Sequence, residues 1–253
     1  MPLLSVRHVS KSFTKNGEKI RVLNSITFDV QPHEFVCILG QSGCGKSTLL
    51  RIIAGLEKPT SGEVLFNGEP IQGPDPKRAT MIFQTFALLP WLTVRENIEL
   101  GMEAIGIPKI KRHAIASHYI KLCELEGFEN AYPPELSGGM KQRVGIARAL
   151  AVEPEILLMD EPFSSLDALT AQTLREDVLE IWRDTSIPTN TILMITHLIQ
   201  EAVFMADRVI VLSKRPAKVV GDIPIDLPRP RVNYERHPVF FEICDRIEKL
   251  IRE

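Results

Sequence analysis

Paired cysteines, an excess of charge of either sign and long apolar runs are all missing from this sequence. Its four cysteines, Cys37, Cys44, Cys123 and Cys244, are scattered with no Cys-x-x-Cys pair. That excludes a disulfide framework or a cysteine zinc site and fits a reduced cytosolic setting. Lysine and arginine number 30 against 32 acidic residues, a net charge of -2, so no electrostatic footprint for nucleic acid is present. No window approaches the roughly 18 uninterrupted apolar residues of a membrane helix, and no basic-then-apolar leader opens the chain. The expectation is a protein that neither spans a membrane nor is secreted. Internal repeats and low-complexity tracts are absent too, while 253 residues suffice for a large core.

The stretch Gly40-Gln41-Ser42-Gly43-Cys44-Gly45-Lys46-Ser47-Thr48 fits the phosphate-binding pattern of Gly, four residues, then Gly-Lys-Ser or Thr. Its flanks fit as well. The apolar run Phe35-Val36-Cys37-Ile38-Leu39 predicts a buried strand entering the loop, and residues 48–54 predict a helix leaving it. Glycines let backbone N–H groups curl around phosphate oxygens, Lys46 can reach β- and γ-phosphates, and Ser47 can ligate Mg²⁺. The helix start adds its positive dipole end. Cys44 reads as a permissive loop residue.

Around this core, Leu4 and Val6, then Ile26, Phe28 and Val30, alternate with polar residues, and the pattern returns over 63–68. A small antiparallel sheet is expected, with Asn16-Gly17 as a hairpin turn. Residues 80–83 form another apolar run, ending at Gln84. The apolar segment 86–92 is broken by Pro90, so an irregular, exposed docking surface is expected there. Thr93 to Glu96 has capping-box spacing for a helix closed by Pro108. A second helix is expected over about 110–125, with Ile115, Tyr119 and Leu122 on one face. Ser137 reads as the N-cap of a helix ending before Pro154. Residues 156–159 then predict a strand, Leu174, Val178 and Ile181 mark a helix, and 191–195 predict a strand ending in Thr196-His197. The proline-rich stretch 216–238 reads as an extended surface excursion before a terminal helix carrying Phe240, Ile243, Ile247 and Leu250. Strands alternating with helices predict an α/β fold with a mainly parallel sheet and ligands at the carboxyl ends of its strands.

Several residues at those strand ends carry chemistry. Asp160 follows four apolar residues, where a carboxylate that holds Mg²⁺ belongs. Glu161 beside it can accept a proton from an attacking water as general base. His197 can bond a γ-phosphate and orient the water, Gln84 can reach the metal or the water, and Phe13 can stack on a purine.

With Leu136-Ser137-Gly138-Gly139-Met140-Lys141-Gln142-Arg143 added, the sequence resembles the ATP-binding subunit of an ATP-binding cassette (ABC) transporter. The likeness covers essentially the whole length with motifs in the family's order. It implies a P-loop NTPase core with an antiparallel β subdomain (1–85 and 154–215), an inserted α-helical subdomain (86–153) and a C-terminal extension (216–253). It also implies that Phe13 stacks adenine, Gln84 is the glutamine loop, Asp160 and Glu161 form the second nucleotide motif, Asp167 contacts a dimer partner, and His197 is the switch histidine. Two copies then pair head to tail, so that Ser137, Gly138, Gly139 and Gln142 of one face the ATP and Mg²⁺ held by 40–48 of the other. Leu88, Leu89, Pro90 and Trp91 with the helical insert are the candidates for docking to a permease at the cytoplasmic face of a membrane, and a solute-binding protein acts indirectly.

Residues 89–94, Glu201-Ala202-Val203 and 227–231 resemble the nitrate, sulfonate and taurine importers. Leu198 departs from the family's frequent Asp, and Phe13 from its commoner Tyr; neither removes a group needed for hydrolysis. The extra C-terminal regulatory domain of some sugar and metal importers is not seen. The competing readings are an importer subunit for another solute class and a soluble cassette ATPase of repair or translation. The latter usually has two cassettes or inserted coiled coils, neither of which is visible.

Overall fold

The computed structural model describes residues 1–15, 17–234 and 236–252. Strands β1 (Leu4–Lys15) and β2 (Glu18–Val30) run antiparallel from Leu4 opposite Val30 to Lys15 opposite Glu18. Asn16 of the expected turn lies outside the described residues; Gly17 takes a φ of 82°, which glycine adopts without steric cost. After β3 (Phe35–Leu39) and helix α1 (Lys46–Ile53) come β4 (Ser61–Phe66) and β5 (Glu69–Pro70). Together β2, β1, β4 and β5, in that order, make a four-stranded sheet. The ladder from β1 to β4 shifts register between Arg7 and Ser10, where His8 adopts a φ of 49°, so β1 bulges.

Gly62 faces that bulge with a φ of 81°, and a Cβ there would lie 2.4 Å from the His8 carbonyl oxygen and 2.5 Å from that of Arg7. Backbone cannot yield as a side chain does. We therefore expect Gly62→Ala to lower folding stability by about 3 kcal/mol or more, read as a fall in the urea midpoint.

The chain continues through β6 (Ala79–Ile82), α2 (Val94–Ala104), α3 (Lys109–Leu122), α4 (Gly138–Leu150), β7 (Ile156–Asp160) and α5 (Ala168–Arg183). Then follow β8 (Ile192–Thr196), α6 (Ile199–Met205), β9 (Arg208–Leu212), β10 (Val219–Pro224) and α7 (Pro238–Arg252). The molecule divides into two compact units, one of residues 1–74 with 191–253 and one of residues 75–190; the helical stretch expected over 86–153 lies within the second.

In the first unit β3 pairs in parallel with both β8 and β9, and β10 adds an antiparallel edge to β9. Every residue of β3 and β8 is buried, as strands covered on both faces must be. In the second unit β6 and β7 pair in parallel, and α2 packs on α3 and α4. Among the described residues no helix is long and apolar enough to cross a membrane.

Three local expectations need correction. Helix α2 stops before Gly106 (φ 79°), and Pro108 instead precedes the first residue of α3 as its N-cap, a position where its missing N–H costs nothing. The inner face of α3 is Ala116, Tyr119 and Ile120 rather than Ile115, Tyr119 and Leu122. Finally, residues 216–238 are not all surface excursion, since β10 lies among them and Arg231 is 2% exposed. Its guanidinium donates to the carbonyls of Val203 (2.8 Å), Ile225 (3.1 Å), Leu227 (3.2 Å) and Ala206. A cation on the last carbonyls of α6 suits the negative end of that helix.

Candidate functional site

The phosphate loop leaves β3 at Leu39 and enters α1 at Lys46. Gly43 and Gly45 have φ of 76° and 123°, conformations that bulkier residues resist. Around Gly45 there is no spare room: a Cβ would sit 2.8 Å from Val22 Cγ1 and 2.9 Å from Leu23 Cδ2, so β2 braces the loop. Gly43 differs, with nothing within 4 Å of a Cβ placed on it. Lys46 is 4% exposed, and its ammonium donates to the carbonyls of Gly40 (2.9 Å) and Gln41 (3.3 Å). Cys44 is packed rather than merely permissive. It is 3% exposed, burial pushes its thiol pKa up, and its Sγ would stand 3.0 Å from a Cβ on Gly40. A loop turned by glycines, with an ammonium, the hydroxyls of Ser47 and Thr48 and a helix start, fits a nucleotide triphosphate with Mg²⁺.

The same strand edge brings His197 near. Leu39 pairs with Thr196, so His197, exposed, leaves β8 beside the point where the loop leaves β3. Phe13, 40% exposed, sits on β1 opposite Ile20, with the Lys11 ammonium 5.0 Å from its ring centroid. A partly exposed ring can offer a stacking face.

In the second unit, Ile82 pairs with Met159, which puts Gln84 and the Asp160-Glu161 pair at one strand edge. Gln84 donates from Nε2 to Ser164 Oγ at 3.3 Å, and that hydroxyl donates to the Glu161 carbonyl at 2.9 Å. Glu161 takes a φ of 46°, unusual for a residue with a side chain and common at functional turns. Asp160 is buried.

Ser137 caps α4, accepting from the Met140 N–H at 3.2 Å, with Gly138 exposed beside it. Gly139 is packed so that a Cβ would come 2.7 Å from Thr170 Cγ2. Gln142 departs from the group: it is 0% exposed, and neither amide atom has a partner. Its side chain is thus enclosed within the unit in the single chain. Asp167 has a structural task, capping α5 through the Thr170 N–H (3.0 Å) and hydroxyl (2.7 Å), bonds that hold its carboxyl below the usual range.

Sequence reasoning missed what holds the segment 86–92. Asn97 is 0% exposed and accepts from the Leu89 N–H at 2.9 Å while donating to the carbonyls of Leu89, Leu92 and Thr93. Arg148 donates to the Ala87 carbonyl at 2.7 Å. Between these anchors Trp91 stands 69% exposed. An asparagine one position beyond a capping box was the available signal.

A strand, a glycine-turned loop carrying lysine and serine, and a helix, with an Asp-Glu pair at a second strand's end, define a phosphate-loop nucleotide-hydrolysing protein. A family model described as "ABC transporter" matches residues 23–164. The nitrate import ATP-binding protein NrtD of Synechocystis sp. is 43% identical over 256 residues, covering 98% of this chain and 95% of that protein. An uncharacterized ABC transporter ATP-binding protein of Methanocaldococcus jannaschii is 49% identical over 228 residues, 90% of this chain and 84% of that one. A solved ATP-binding cassette, dimeric in a post-hydrolysis state with ADP and Pi, superposes with a TM-score of 0.77 at 32% identity, covering 89% of this chain and 100% of that one. The chain belongs to the ABC transporter family, as an ATP-binding and ATP-hydrolysing subunit.

Proposed function

We propose that the chain energises import of a small solute of the nitrate, sulfonate or taurine kind. Two copies work head to tail on the cytoplasmic face of a membrane permease, and an extracytoplasmic solute-binding protein delivers the solute without touching them. The observation that carries the reading is the braced loop over 40–48, with buried Lys46, in a chain that also carries an exposed, serine-capped helix start at Ser137. Likeness over nearly the full length to a nitrate import protein supports the solute class.

In this reading residues 40–48 hold the triphosphate, and Phe13 stacks the adenine. Ser47, Asp160 and Gln84 hold Mg²⁺, which when bound neutralises charge on the β- and γ-phosphates. Glu161 takes a proton from the attacking water and His197 orients the γ-phosphate. Ser137 and the Gly138-Gly139 backbone offer a helix N-terminus to the γ-phosphate of the partner's ATP, and Asp167 lies at that contact. The dimer opens after hydrolysis because its two states differ in affinity for ATP and ADP. Trp91 and its apolar neighbours on 88–91 meet the permease.

The head-to-tail arrangement makes a specific demand. Ser137→Arg and Lys46→Ala proteins should each be nearly inactive as phosphate-releasing enzymes. Mixing them should recover activity, since a mixed dimer rebuilds one site from an intact loop and an intact signature. No recovery on mixing would rule out sites shared between copies.

A further inference from the structure

The turn joining β9 to β10 is built into the wall of the phosphate loop. Its ends are tied together by the Ser213 N–H on the Lys218 carbonyl (2.9 Å) and the Lys218 N–H on Ser213 Oγ (3.0 Å). Ala217, 0% exposed, bonds to β2 on both sides, donating to the Val22 carbonyl at 2.8 Å and accepting from the Asn24 N–H at 2.9 Å. Val22 and Leu23 are the side chains packed under Gly45, and Leu212, the last residue of β9, stands 3.3 Å from where a Cβ on Gly40 would be. From this turn Arg215 reaches back, its Nη2 2.6 Å from the Gly43 carbonyl oxygen.

Gly43 takes a φ of 76°, and no atom stands within 4 Å of where a Cβ on it would be, so no neighbour packs against it from that side. Arg215 restrains it through its carbonyl oxygen. The peptide joining Gly43 to Cys44 is then held at both ends: its oxygen accepts from Arg215, and the Cys44 N–H donates to the Gln41 carbonyl at 3.2 Å. Among the described residues Arg215 is in no ion pair. Lys214 and Lys218 on the same turn are exposed and share the sign.

We propose that Arg215 is a positioning residue for the nucleotide's phosphates, fixing the tip of the loop before they arrive and adding positive charge beside them. Both effects favour a polyanion and leave the nucleoside part untouched. The inference rests on reading 40–48 as the nucleotide-binding loop. It is tested by competing ATP, ADP and adenosine against a fluorescent ATP analogue on the wild-type chain and on Arg215→Ala, Arg215→Lys and Arg215→Gln, at two salt concentrations.

Arg215→Ala should weaken ATP and ADP about tenfold, a typical size for a lost charge-assisted hydrogen bond, with adenosine and the nucleotide-free melting temperature unchanged. Arg215→Lys should recover part of the loss, and more of it at low salt; Arg215→Gln should recover less. ATP affinity in Arg215→Ala within about twofold of wild type would overturn the proposal. So would an equal loss for adenosine, or a drop in melting temperature that accounts for the change. A wild-type chain that binds no ATP would instead overturn the loop assignment itself.

Discussion

Glu161→Gln should bind ATP as the wild type does and hydrolyse it slower by about two orders of magnitude or more, the usual scale for losing a catalytic proton acceptor. The substitution is nearly isosteric. The Glu161 carbonyl accepts from the Ser164 N–H at 3.2 Å and from its hydroxyl at 2.9 Å, backbone bonds at the φ of 46° that Gln can keep. A change in turnover at an unchanged melting temperature would report the carboxylate and not a collapsed turn. Steady-state phosphate release beside equilibrium ATP binding separates the two. Near-normal turnover with intact binding would remove Glu161 from the base role and direct attention to His197.

Lys46→Ala is expected to act one step earlier, raising the dissociation constant for ATP by about one to two orders of magnitude. Its side chain is 4% exposed, and truncation removes two things at once. The phosphates lose an ammonium, and the carbonyls of Gly40 and Gln41, now bonded to it at 2.9 and 3.3 Å, lose a donor. The second loss also costs folding free energy, about 1 kcal/mol for such a bond, so binding should be measured with melting of the unliganded protein alongside. Affinity that stays at the wild-type value would sink the loop assignment.

What could be read from residues alone was whatever is decided within a few positions of the chain. The strand-loop-helix over 35–53, the capping box at Thr93, the N-cap at Ser137 and the hairpin pairing of β1 with β2 each follow from local geometry, and the structure has them. Readings failed where a distant part of the fold decides. Ala116, too small to count in a periodicity of large apolar groups, is buried while Ile115 is not. Arg231 looks like a solvated charge in a proline-rich stretch until α6 offers it carbonyls. Asp167 and Cys44 are of another kind, residues whose structural task went unseen, one capping α5 and the other filling space against Gly40.

The brace under Gly45 has a further consequence through the hairpin it belongs to. Leu23, packed against the loop, pairs across the ladder with Lys11, and two residues along the same strand stands Phe13. The ring proposed for the base and the cradle proposed for the phosphates are thus joined by hydrogen-bonded β-structure, without a flexible linker between them. Such a hairpin works as a caliper. Its jaws are set by strand rise, about 3.3 Å per residue, and adding a rung between the Lys11–Leu23 pair and the Phe13–Ile20 pair would reset the gap that a nucleotide must span.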